Sequence, residues 1–109
     1  MSTTQLAGPI ARYLQAANAQ DVNAVAACFT SDAVVRDEDR ERRGTAEVRA
    51  WADEVSQKYR PTVEPLSVTE QGATIVVGRV SGAFPGSPLE LRYVFTLKGE
   101  KIVRLEIAP

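Results

Sequence analysis

Two side chains in the first third of the chain are of types that can move a proton: Tyr13 and Asp37. Both lie in the segment RYLQAANAQDVNAVAACFTSDAVVRDED, which runs from Arg12 to Asp39. A carboxylate can take a proton from carbon, and a phenol can hold the oxygen on which charge then develops. That chemistry needs both groups in one cavity, partly apolar, where a carboxylate stays usefully basic. Each residue also has a plainer reading. Tyr13 falls on an apolar helical face and can serve as a core aromatic whose hydroxyl reaches an edge. Asp37 closes a strand beside Glu38 and Asp39, and a run of acids is commonly a solvated loop. Glu38 and Asp39 are secondary candidates for the base.

Composition argues against other chemistries. The 109 residues include no histidine and one cysteine, Cys28. Zinc sites are built from those two types, so no metal is expected. Asp37, Glu38 and Asp39 could offer oxygens to magnesium, but adjacent loop acids are poor ligand sets. Cys28 sits among apolar residues and reads as core; lacking a partner for a disulfide, it suits a reducing cytoplasm. No glycine-rich loop follows a strand, so no nucleotide cofactor is expected. A formal net charge of −1, with Lys and Arg dispersed along the chain, argues against nucleic acid. The opening MSTTQLAGP lacks the basic and apolar regions of a signal peptide, and no apolar run nears the ~20 residues that span a bilayer. The length fits one domain, residues 1–109, of ordinary globular composition.

The elements that must position Tyr13 and Asp37 follow from periodicity. Leu6, Ile10, Tyr13, Leu14 and Ala17 recur at helical spacing and predict a first helix from about Leu6 to Ala19. Pro9 belongs only in a first turn, so the start can shift to Gly8. Asp21 is the expected N-cap of a short second helix that buries Val22, Val25, Ala26 and Phe29. Ala33 to Asp37 reads as a strand, and Glu38 to Gly44 as a polar loop. Thr45 is the expected cap of a third helix with Val48, Trp51, Ala52, Val55 and Tyr59 inward and Pro61 at its end. Four strands follow, Thr62–Glu70, Thr74–Phe84, Leu89–Lys98 and Lys101–Ile107, joined by short turns that imply antiparallel pairing. Pro65 marks an edge or bulge, and Gly78 and Gly82 mark a bend. Helices first and strands after give an α+β fold.

The stretch that begins at Arg12 also resembles a known family. Arg12-Tyr13, Asn18-Ala19-Gln20-Asp21, Phe29, Asp32-Ala33-Val34-Val35, Asp37 and Gly44-Thr45 are similar to the start of the ketosteroid isomerase-like branch of the nuclear transport factor 2-like superfamily, which includes the SnoaL-like polyketide cyclases. The order of elements agrees over nearly the whole chain. The resemblance implies a cone in which a strongly bent, mostly antiparallel sheet wraps three N-terminal helices and leaves a pocket at its open end. It further implies Asp37 as proton shuttle and Tyr13 as donor to an enolate oxygen. The second oxyanion donor of the isomerases, a protonated aspartate, is matched here by Tyr93, and their supporting tyrosine on the third helix by Ala52.

Leu91, Tyr93, Phe95 and Leu97 alternate onto one strand face. With Phe29, Trp51 and Val55 they would line an apolar cavity, or else fill the core and leave none. Arg92, Val94 and Thr96 face the other way, on a surface whose mixed character suits a homodimer interface. The leading expectation is a small cytoplasmic enzyme without cofactor. It would transfer a proton on an apolar, carbonyl-bearing or cyclic molecule through Asp37, Tyr13 and Tyr93, with Phe29, Trp51, Val55 and Phe95 around the substrate. The rival is a non-catalytic ligand-binding or dimerisation module of the same fold.

Overall fold

The computed structural model describes residues 6–109. The first helix, α1 (Gly8–Asn18), begins two residues later than the apolar spacing alone suggests, because Pro9 fits only in its first turn. Asp21 caps α2 (Val22–Ala27), its carboxylate accepting the Ala24 N–H at 3.1 Å. Phe29 does not end this helix. It opens β1 (Phe29–Asp37), which therefore starts four residues before Ala33. Thr30 to Asp32 look like a break in the sequence, but they form an irregular outer part of the strand, where the Thr30 hydroxyl donates to Asp32 at 2.8 Å.

The expected loop after Asp37 is a hairpin. Glu38 and Asp39 take φ of 55° and 61°, and β2 (Arg40–Arg43) returns antiparallel with Asp37 opposite Arg40. Two successive left-handed residues make the primed turn whose twist matches a tight hairpin. Gly44, at φ 87°, then leads into α3 (Thr45–Tyr59). Thr45 is the first helical residue and its hydroxyl caps nothing; Glu47 instead folds back and accepts the Arg43 N–H at 2.8 Å. A carboxylate there also faces the positive end of the helix. Arg60, left-handed at φ 45°, ends the helix just before Pro61.

The remaining strands are β3 (Thr62–Gln71), β4 (Ala73–Ser81), β5 (Leu89–Lys98) and β6 (Lys101–Ala108). β4 stops at Ser81, short of Phe84. There the chain turns across the end of α3, with the Ala83 N–H donating to the Tyr59 carbonyl at 2.7 Å. One six-stranded sheet results, in the order β2-β1-β6-β5-β4-β3. Every pairing is antiparallel except β1 with β6.

The bend of the sheet has an identifiable origin. The β3–β4 register slips between Pro65 and Ser67, and Gly78 lies opposite Pro65. A Cβ on Gly78 would stand 2.7 Å from Val63 Cγ1, so the close approach requires glycine. Asn18, at the end of α1, fastens the helix to β3: its amide donates to the Val63 carbonyl at 3.0 Å and accepts the Val63 N–H at 2.7 Å. Between helices and sheet, Ile10, Val35, Val48, Val76, Phe95, Ile102 and Leu105 have lost essentially all contact with solvent. Each such side chain contributes about 1.5–3 kcal/mol relative to exposure. The result is an α+β cone, as the element order implies. None of its helices is long and apolar enough to cross a membrane, among the described residues.

Candidate functional site

The cone encloses a cavity of about 630 Å³ at its open end. Sheet register explains which side chains reach it. Asp37 of β1, Ile107 of β6 and Tyr93 of β5 form one row across three neighbouring strands. All three line the cavity. Two residues deeper, Val35, Leu105 and Phe95 form the next row, which is solid core. From the helices, Tyr13 comes from α1, and Trp51 and Val55 come from successive turns of α3. Tyr13, Asp37, Tyr93, Trp51 and Val55 are thus brought together.

Phe29 and Phe95 are not. Neither lines the cavity. Their rings form the layer behind it, and they act on the site through the phenols. The Tyr13 ring meets Phe29 edge-on at 5.9 Å and Phe95 at 5.6 Å, while Tyr93 stacks on Phe95 at 6.2 Å. Aromatic pairs in these geometries hold ring orientation as well as burying area. Sequence reasoning missed Ile107, Gln20, Ser56 and Phe84 at the wall. Ile107 becomes visible only once β6 is known to lie beside β1. Gln20, in the turn after α1, and Ser56 of α3 bond each other, the hydroxyl donating to the amide oxygen at 2.7 Å.

The carboxylate of Asp37 is half-buried and accepts a hydrogen bond from Trp51 Nε1 at 3.0 Å. Burial raises its proton affinity above the ordinary carboxylate value. The Trp51 bond opposes that rise, the neighbouring charge of Glu38 adds to it, and Arg42 pulls the other way. A carboxylate so placed is a better base than a surface one. The phenols show the converse. Tyr13 and Tyr93 are each 4% exposed. Burial raises both well above the usual tyrosine value, and the charge of Asp37 raises them further. Both therefore keep their protons at neutral pH and can donate. Among the described residues neither hydroxyl has a hydrogen-bond partner in the protein, and neither oxygen is shut off from the cavity.

Arg42 braces the site from outside. Its guanidinium grips Glu54 at 2.9 Å, joining β2 to α3 next to Trp51. Cys28 is buried away from the cavity, its thiol donating to the Ala24 carbonyl. Among the described residues no group of three His, Cys, Asp or Glu side chains is placed to hold a metal ion. A base and two proton donors facing one cavity can move a proton on a molecule bound there and hold the oxygen that gains charge.

Comparison with known proteins gives this arrangement a context. No curated protein matches the chain. Solved structures do. One, from Sinorhizobium meliloti and described as a candidate polyketide cyclase, is 36% identical, covers 94% of each chain and superposes with a TM-score of 0.88. Another, a protein of ketosteroid isomerase-like fold from Catenulispora acidiphila solved in complex with trimethylamine, is 15% identical over 98% of this chain and 87% of that one, with a TM-score of 0.83. A third, the epoxide hydrolase/cyclase-like enzyme SalBIII of pyran ring formation in salinomycin, is 22% identical over 92% of this chain and 86% of that one, with a TM-score of 0.75. The SnoaL-like domain matches residues 10–105. The chain belongs to the SnoaL-like domain family, within the nuclear transport factor 2-like superfamily.

Proposed function

We propose that the protein is a cofactor-independent enzyme of the isomerase or cyclase type, acting on an apolar molecule that bears a carbonyl. Asp37 takes a proton from the carbon beside the carbonyl. The bond electrons pass to the carbonyl oxygen, and the enolate accepts hydrogen bonds from Tyr13 and Tyr93. Asp37 then returns the proton to another carbon, which completes an isomerisation. In a cyclisation the enolate carbon attacks an electrophilic carbon of the same molecule, and the proton on Asp37 goes to the oxygen released there. The observation that carries this reading is the shared wall: a half-buried carboxylate, oriented by Trp51, opens on the same cavity as two phenols without partners. The 36% identity to a candidate polyketide cyclase supports the cyclase form.

The test is isotope exchange. A panel of cyclic enones and ketones is incubated in deuterium oxide with wild type and with Asp37→Asn, and label is read by mass spectrometry. The wild type should exchange the proton beside the carbonyl. The variant should lose about 100-fold or more of that rate while still binding the ketone. Background exchange in both proteins across the panel counts for a ligand-binding module without catalysis. Exchange that persists in Asp37→Asn would move the base to Glu38 or Asp39.

We propose in addition that the protein works in the cytoplasm as a homodimer paired through the outer sheet face. There Ile75 and Val94 are half-buried cross-strand neighbours, as are half-buried Val77 and exposed Arg92, with Thr96 alongside.

A further inference from the structure

Charge is distributed unevenly around the cavity. Its wall carries the carboxylates of Asp21, Asp37, Glu38 and Asp39 and neither a lysine nor an arginine. It also presents the rings of Tyr13, Trp51, Tyr59, Phe84 and Tyr93. The nearest cations stand outside the cavity lining, on the other side of these acids. Lys58 places Nζ 5.1 Å from the Tyr59 ring centroid, and with Arg40 and Arg42 it lines a small adjoining pocket of ~90 Å³ that shares Asp37, Glu38 and Tyr59 with the cavity. Arg42 is held by Glu54, and Arg36 pairs with Glu41 at 3.8 Å and with the exposed Asp39 at 3.9 Å.

The acids are only partly satisfied. Asp21 caps α2, Asp37 accepts from Trp51, and Glu38 accepts from the Tyr59 hydroxyl at 3.2 Å. Each keeps lone pairs to spare. Ring faces are themselves negative, and Tyr59 and Phe84 meet edge to face at 5.8 Å beside Glu38. Such a wall repels a carboxylate or phosphate and attracts a cation. Tyr13 and Tyr93, each 4% exposed, open their hydroxyls on the cavity without a protein partner among the described residues, an independent feature that suits a polar atom of a ligand at depth.

We infer that the ligand of this cavity is an organic cation, a protonated or quaternary amine, whose apolar body enters the cone while its nitrogen stays at the mouth among Glu38, Asp39 and the Tyr59–Phe84 pair. Carboxylic acids and phosphate esters of the same body are rejected. The inference deepens the proposed function and rests on the cavity being the substrate site. A substrate of this class carries its carbonyl toward Tyr13 and Tyr93 and its amine toward the hairpin turn at Glu38-Asp39.

Three probes with one apolar body test it: 1-adamantanamine, 1-adamantanol and 1-adamantanecarboxylate at neutral pH. Binding is read by calorimetry and by the fluorescence of Trp51, the chain's only tryptophan, which lines the cavity. At low salt the amine should bind about tenfold tighter than the alcohol, and the carboxylate about tenfold weaker. High salt should narrow both gaps, because charges at the mouth are screened. The double substitution Glu38→Gln with Asp39→Asn keeps side-chain volume, and Asn tolerates the left-handed turn. It should bring the amine within about twofold of the alcohol. Equal binding of amine and alcohol by the wild type, or a carboxylate that binds as tightly as the amine, would overturn the cation inference and leave the cavity as ligand site. Silence from all three probes, by heat and by fluorescence, would overturn both.

Discussion

Asp37 stands between opposed influences, and their balance is measurable. Burial raises its proton affinity and the Trp51 bond lowers it. Trp51→Phe should therefore move the acidic limb of the activity profile to higher pH, since the ring remains but the donor goes. The wild-type limb should itself lie above the ~3.9 of an ordinary aspartate. Stability follows with a defined sign. Between the unfolded value and the raised folded value, the folded chain holds a proton that the unfolded chain has released, so stability falls as pH rises through that window. Asp37→Asn carries no such penalty. It should melt higher than wild type at neutral pH, and the gap should vanish below ~4, where both states of the aspartate are protonated. Scanning calorimetry at several pH values checks this. A catalytic group that costs stability is a common trade at active sites. At this scale much was legible beforehand. Helical spacing set Tyr13 inward, the strand end exposed Asp37, and alternation placed Tyr93. Phe95 was misplaced because depth along the cone depends on strand register, which residue types do not reveal, and Phe29 because it opens β1 and does not end α2.

Gly78 sets the shape of the wall that faces the helices. Gly78→Ala should destabilise the protein by about 1–3 kcal/mol, because its methyl group meets Val63 with nowhere to go. Val63→Ala, costly alone, should relieve part of that strain. Chemical denaturation of the two single variants and the double variant would then show coupling of about 0.5 kcal/mol or more. Simple additivity would mean that the bend survives without this contact. Most elements could be read from periodicity and turn residues. The β2 hairpin could not. Its strand, Arg-Glu-Arg-Arg, has no apolar alternation, and its turn, Glu38-Asp39, lacks the glycine that usually signals one. The early start of β1 was hidden by Thr30-Ser31-Asp32, which have the composition of a break and lie on an irregular stretch of strand.

For the whole molecule, the proposed homodimer predicts sedimentation at twice the chain mass at micromolar concentration. An interface of ordinary size would bury ~800 Å² per subunit. Placing a negative charge at its centre with Val94→Glu should split the dimer without unfolding the subunit, since Val94 is only half-buried on the outer face. The α+β class followed from element order, and the family resemblance rested on motifs between Arg12 and Thr45 together with the order of elements over nearly the whole chain. The mixed sheet did not follow, because short turns foretell antiparallel neighbours and say nothing of a strand that returns to lie beside a distant one. That return has a consequence during synthesis. The last strand, β6, occupies the middle of the sheet between β1 and β5. On the ribosome the N-terminal hairpin and the β3–β5 meander emerge as two separate pieces, each with a bare edge where β6 belongs. Neither can close the cone until residues 101–108 have left the exit tunnel. Until then Asp37 has no neighbour in Ile107, and the cavity has no continuous floor. A nascent chain stalled before Lys101 should therefore be cut readily by protease, and emergence of residues 101–108 should bring protection of the whole sheet in a single step.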